Sequence, residues 1–249
     1  MRSAFISGTA LLVVFLGTLL GTVPAGALPI TMEITAVITN VEDNDGFLTG
    51  AIAVGDTIRG NYTYESEIPD TNILPDVGDY WHTTAPHGFA LAVNGFWFGT
   101  DPGNVDFLYE LCNNRILGSA GGWDAYVLHG YQSAFDIAVE VDPALADELP
   151  PTNLITLEAH DLSGTALSDT FLPLTAPDLS QWDWTRLTLT SETLFSPYGG
   201  YSYFIIDANV TSVIARSTTP IPEPGTLLLL GTGLAGIWGL GRRARIAAT

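Results

Sequence analysis

Trp182 and Trp184 flank Asp183, and this triplet carries the clearest binding chemistry in the sequence. On an extended segment, residues two apart point to one side. Two indoles on one side would offer apolar faces to sugar rings, with Asp183 and nearby amides free to bond hydroxyls. Trp81, Trp97 and Trp123 add further rings. Large aromatics also fill the core of a β-sandwich or cover its end, so the sequence admits both readings.

The remaining reactive residue types point to weaker chemistry. Asp43-Asn44-Asp45-Gly46 alternates hard oxygen ligands before a turn glycine, as calcium loops do. Aligning Gly46 with the turn glycine of a helix–loop–helix calcium site puts Val41 and Ile52 at the first and last ligand positions. An acidic hairpin turn fits better, and calcium remains the one ion worth naming beside an expectation of no cofactor. His82 and His87 stand five residues apart near Asp79, with no cysteine pair or His-Glu-x-x-His to complete a metal site. His129 and His160 fall singly on expected strands. Ser119 sits in a Gly-rich loop without the Gly-x-Ser-x-Gly elbow of hydrolases. A glycosidase needs two carboxylates roughly 5–10 Å apart across a cleft, and the sequence selects no pair among its acids. No catalytic residue and no metal ligand is therefore assigned. Cys112 is the single cysteine, so no intramolecular disulfide forms and the thiol reads as a buried apolar group.

The charge balance narrows the partners. The chain has 27 acids against 8 basic residues, all of them arginine. Glu223, Arg2, Arg242, Arg243 and Arg245 lie in the terminal segments, so the middle carries 26 acids and 4 arginines, a net charge of −22. That surface repels nucleic-acid phosphates and attracts cations.

These residues must be held by strands. Met32 to Val41 alternates, with Met32, Ile34, Ala36 and Ile38 on one side, and Tyr62 and Tyr64 share a side of Thr57 to Tyr64. Phe47 to Val54 reads as a return strand between the turns Glu42 to Gly46 and Gly55-Asp56. Further strands are expected at Gly88 to Val93, Phe96 to Phe98, Val105 to Leu111, Asp124 to Tyr131 and Phe135 to Val141. Others follow at Leu154 to Ala159, Thr185 to Thr190 and Tyr201 to Ile214, with a long loop over Glu65 to Asp79. The pattern predicts an all-β fold, an antiparallel two-sheet sandwich of jelly-roll or lectin-like form, over residues 28–215.

The two ends read as addresses. Residues 1–27 form a signal peptide: Arg2, an apolar helix, then the small residues Ala25 and Ala27 of a peptidase site, with cleavage after Ala27. Residues 216–221 make a linker. Pro222-Glu223-Pro224-Gly225-Thr226 follows, then an apolar helix over 227–241, closed by Arg242, Arg243 and Arg245. The 15 residues of that helix reach about 22 Å, short of the ~30 Å hydrocarbon core, so spanning requires arginine snorkelling and local thinning. The arginines stop transfer and stay cytoplasmic, which leaves the β-domain outside.

This tail, residues 222–245, resembles the PEP-CTERM sorting signal of exopolysaccharide-producing Gram-negative bacteria. Gly225 stands where that family usually has Ser, while Thr226 fits. The segment Val54-Gly55-Asp56-Thr57, Gly60 to Ser66, Pro69-Asp70 and Gly78-Asp79-Tyr80 is similar to uncharacterised PEP-CTERM proteins. The resemblance implies processing by an exosortase-type enzyme, transient passage through the inner membrane, and delivery to the envelope, cell surface or extracellular matrix. Together with the acidic surface and the missing catalytic motifs, it points to an exported, non-enzymatic envelope or extracellular-matrix protein that contacts exopolysaccharide or forms part of the biofilm matrix, with no biochemical activity specified by the sequence. Two alternatives stand beside it: a carbohydrate-binding module assisted by calcium, using Trp182 and Trp184, and a secreted glycan hydrolase.

Overall fold

The computed structural model describes residues 29–116, 121–140, 151–194, 197 and 200–216, all of which fall in the compact unit Ala27–Arg216. The expected signal helix, sorting motif and membrane helix lie outside the described residues, as do Ser119 and all of the linker but Arg216. Among the described residues eleven strands follow in chain order: β1 Pro29–Asp43, β2 Thr57–Glu65, β3 Val77–His82, β4 Gly88–Val93, β5 Phe96–Gly99 and β6 Asp106–Arg115. The others are β7 Trp123–Tyr131, β8 Ala134–Phe135, β9 Thr152–Asp161, β10 Trp184–Thr193 and β11 Ser202–Ala215. Among the described residues the only helical element is the 3-10 turn Leu179–Gln181, and none is long and apolar enough to cross a membrane.

The described fold is all-β, and every strand among the described residues belongs to one antiparallel sheet in the order β3-β6-β7-β9-β10-β11-β1-β2-β4-β5-β8. The expected pair of sheets is thus a single ladder that curls until distant parts of its inner side meet. The long strands β1 and β11 make the bend possible. Their pairing slips between Thr35 and Ala36 and again between Ile38 and Asn40, and such bulges bend and twist a strand. Contacts across the interior record the closure. The hydroxyls of Tyr62 on β2 and Tyr126 on β7 bond each other, although β9, β10, β11 and β1 stand between those strands in the sheet. Phe89 on β4 meets Phe107 on β6 edge-on at 5.4 Å.

Alternation decides which side chains fill that interior. Met32, Ile34, Ala36 and Ile38 are buried as expected, as are Tyr62, Tyr64, Leu187, Leu189, Phe204, Ile206 and Ala208. Asn94 and Gly95 both take positive φ in the β4–β5 hairpin, the backbone that a two-residue turn matched to strand twist demands.

Three expected strand bounds change, and the first is simple: the strand expected over Phe135 to Val141 is only the two-residue β8, Ala134–Phe135, with bends after it. Phe47 to Val54 is a run of turns, not a strand. The Asp43 carboxylate accepts the N–H groups of Gly46, Phe47 and Leu48 at 2.9 Å each, and Asp56 takes that of Ala53 at 2.8 Å. The backbone donors thereby bond side chains and not a neighbouring strand. Leu48 and Ile52 tuck inward, and β1 pairs with β2 directly. Conversely, β3 emerges from the expected Glu65 to Asp79 loop. Its open edge is laced by that loop: Thr71 donates to Asp79 O from both N and Oγ1, and Asp79 N–H bonds Asp70 Oδ1 at 2.9 Å. Covering an edge in this way blocks unwanted strand addition.

Candidate functional site

The two tryptophans singled out by spacing part company. Trp182 ends the Leu179–Gln181 turn, whose start is capped by Asp178 accepting from Ser180 N. Its ring is only 8% exposed and stands edge-on to Tyr126 at 6.1 Å. The chain then bends at Asp183, whose N–H bonds His160 O at 2.9 Å and whose carboxylate accepts Leu162 N–H at 2.8 Å. That bend breaks the alternation, so Trp184 enters β10 on the outer side and is 41% exposed.

On the outer side Trp184 belongs to a stack. Its ring lies 4.2 Å from His160, and His160 lies 5.5 Å from Trp123, all three nearly parallel at interplanar angles of 16°. The pairing Ala125–His160–Trp184 across β7, β9 and β10 sets this juxtaposition. Arg186 sits with its guanidinium carbon 5.7 Å from the Trp184 ring and donates from Nε and Nη2 to Glu158 Oε1 at 2.8 and 2.6 Å. The hydrogen bond from His160, then Arg186, holds the Glu158 carboxyl below the usual glutamate range. A second stack stands further along the same side: Trp81 on Tyr131 at 5.8 Å, and Tyr131 on His129 at 5.3 Å. Burial pushes the His129 pKa down.

Between the stacks runs a polar row. Register places Asp79, Glu110, Val127, Glu158 and Arg186 opposite one another across β3, β6, β7, β9 and β10. Burial first, and then the charge of Asp79, pushes the Glu110 carboxyl up. Aromatic stacks beside carboxylates can hold sugar rings by apolar contact while accepting their hydroxyls. The outermost rings, Trp81 at 38% exposed and Trp184 at 41%, offer the open surface.

Trp182 leads elsewhere, to a pocket of about 500 Å³ at one end of the sheet, walled by Leu111, Tyr126, Leu172 and Trp182 and rimmed by Asp169, Asp178 and Gln181. Two buried carboxylates pin the segment above it. Asp161 accepts the N–H groups of Ser163, Thr165 and Ala166 at 2.8, 2.7 and 2.9 Å, and these bonds, led by that from the Ser163 hydroxyl, hold its carboxyl far below the usual range. Asp124 accepts from Asn114 N and Leu167 N at 2.7 Å each.

The other sequence candidates have structural duties. Asp43 is saturated by its three turn amides. His82 accepts Glu65 N–H on Nε2 at 3.0 Å and donates from Nδ1 to Tyr80 O at 3.2 Å. Its Nε2 lone pair is therefore engaged, although His87 lies only 5.0 Å away ring to ring. Burial also pushes the His82 pKa down. Cys112 is buried beside Glu110, and burial pushes its thiol up to about 11, away from nucleophilic thiolate. Trp97 folds over Gly99, where a Cβ would meet its ring at 2.4 Å. Among the described residues no group of three or more His, Cys, Asp or Glu is placed to hold a metal ion.

Sequence spacing missed the stacks because their members meet only through strand register. His129 and Tyr131 alternate on β7 with Trp123, which was the available hint.

An all-β domain with an acidic surface and an aromatic outer side is a class of architecture, and the tail gives it a destination. Residues 220–245 match the PEP-CTERM protein-sorting motif. The chain is thus an exported, cell-envelope-associated protein and a substrate for an exosortase-type enzyme. No curated protein and no solved structure matches the chain.

Proposed function

We propose that the chain is delivered by its two terminal signals to the surface or matrix of a Gram-negative bacterium, where its β-domain contacts exopolysaccharide without catalysis. The signal peptide, residues 1–27, is removed after Ala27. The β-domain, residues 28–215, leads through the linker 216–221 into the sorting signal 222–245. The helix over 227–241 holds the chain in the inner membrane, with Arg242, Arg243 and Arg245 on the cytoplasmic side, until the Pro222-Glu223-Pro224 region is processed.

The single observation that carries the location is the sorting motif at residues 220–245. The outer stacks support the contact. Trp81 and Trp184 are exposed on the same side of one sheet, with Glu110 and Glu158 in the row between them. Trp182, in the end pocket, is not part of this surface.

The test is binding of the mature protein to the exopolysaccharide of the producing strain, with and without calcium. An aromatic contact is worth about 1 kcal/mol beyond area burial, so Trp184→Ala and Trp81→Ala should each weaken binding about fivefold. Trp97→Ala should not. Equal binding by all three variants, or none by the parent protein, sinks the glycan contact.

A further inference from the structure

Asp79 is the anchor of the β3 edge. Its backbone N–H bonds Asp70 Oδ1, its carbonyl accepts from Thr71, and its Oδ2 accepts from Asn72 Nδ2 at 2.8 Å. The other carboxylate oxygen, Oδ1, is buried and meets no donor among the described groups. Directly opposite it in register on β6 stands Glu110, and the charge of Asp79 adds to burial in pushing the Glu110 carboxyl up. Two carboxylates cannot bond each other, and a buried acceptor without a donor costs about 1–3 kcal/mol.

We infer that Asp79 and Glu110 share one proton, the protonated Glu110 carboxyl donating to Asp79 Oδ1, and that this bond fastens the edge strand β3 and its covering loop to the sheet. The proton satisfies the orphaned oxygen and removes the like-charge repulsion at once. When it leaves for solvent, two anions face each other, and Asp79 is pushed away from the contacts that hold Asp70, Thr71 and Asn72.

The surroundings favour retention. Glu110 faces Asp79 on β3 and Val127 on β7, with His129 and Tyr131 two and four residues further along β7, opposite Leu108 and Asp106. Tyr131 is itself pushed up, by burial first and then by the charges of Asp106, Glu110 and Asp79. On its own strand Glu110 is neighboured by the Cys112 thiol, 3.5 Å from Oε1, and by Arg115. Arg115 is also drawn toward Cys112 and Asp76. It is the one cation among the named influences on Glu110, and burial and Asp79 together outweigh it.

The sign follows from linkage. A carboxyl whose folded-state pKa is raised contributes stability in full below the unfolded value. That contribution is lost as pH rises through the folded value. The β3 edge is therefore tighter in mildly acidic surroundings. The inference does not depend on what the outer side binds.

Carboxyl-carbon NMR of the full chain in mild detergent, labelled at Asp and Glu, tests it. The Glu110 resonance, identified by its disappearance in Glu110→Gln, should titrate above the ordinary glutamate midpoint. Asp79→Asn should bring that midpoint down. Glu110→Gln keeps an N–H donor facing Asp79, so urea unfolding of this variant should lose the weakening that the parent shows as pH rises through the Glu110 midpoint. A Glu110 midpoint at its ordinary value in the parent protein, or one that Asp79→Asn leaves in place, overturns the shared proton. The parent titration decides alone if the Asp79 variant does not fold.

Discussion

Replacing Tyr62 by Phe, Tyr126 by Phe, and both together would measure how firmly the sheet closes on itself. The two hydroxyls bond across the interior, one from β2 and one from β7, and both residues are essentially unexposed, at 0% and 1%. Each single change deletes one hydroxyl and keeps the ring, so the aromatic packing survives: Tyr62 on Phe89 at 6.1 Å, Tyr126 on Tyr109 at 5.0 Å and on Trp182 at 6.1 Å. What remains is a buried phenol without that partner, costing about 1–3 kcal/mol. The double variant has neither hydroxyl to satisfy. Its cost should fall short of the sum of the singles by about 1 kcal/mol or more, the signature of residues in contact. Equilibrium urea unfolding at neutral pH, read by aromatic fluorescence, gives the four free energies. Additive single effects, within about 0.3 kcal/mol, would mean that β2 and β7 do not face each other, and the curled sheet would be wrong.

Two further predictions rest on the same interior. Burial, and then Tyr126, raise the Tyr62 pKa well above its ordinary value, while burial pushes Tyr126 up to about 12. Phenols with raised folded-state values contribute stability below pH 10 that is lost as pH climbs through the folded values, so ultraviolet titration should show these tyrosines ionising with unfolding and not before it. Their ionisation at the ordinary pH with the fold intact would place them at the surface. Gly60→Ala should cost about 3 kcal/mol, because a Cβ there would meet Ala90 O at 2.0 Å, a backbone atom that cannot swing aside. A variant with the parent's urea midpoint would contradict the β2–β4 pairing.

The core was legible where alternation was clean. Met32, Ile34, Ala36 and Ile38 announce β1, and the Asn94-Gly95 dipeptide announces the β4–β5 hairpin. Legibility failed where a side chain competed with the backbone. Phe47 to Val54 has strand-like composition, yet Asp43 and Asp56 capture its N–H groups and glycines at positions 46, 50 and 55 take positive φ. β3 was hidden for the opposite reason: Gly78 and Asp79 look like loop residues, but Gly78 is required because a Cβ would strike Thr170 O at 2.7 Å. The outer stacks left only the alternation of Trp123, His129 and Tyr131 on β7 as a hint, since Trp123, His160 and Trp184 come from three strands whose register appears only on folding. Spacing instead paired Trp184 with Trp182, which the bend at Asp183 turns into the end pocket.

The account stands on export and tail processing, and intact-mass analysis of the chain recovered from the producing cell tests both. The protein should be found in the envelope or matrix fraction, beginning at Leu28 and lacking the segment from Leu227 onward. A chain that keeps Met1 to Ala27 and its arginine-closed tail, recovered from the cytoplasm, would contradict it.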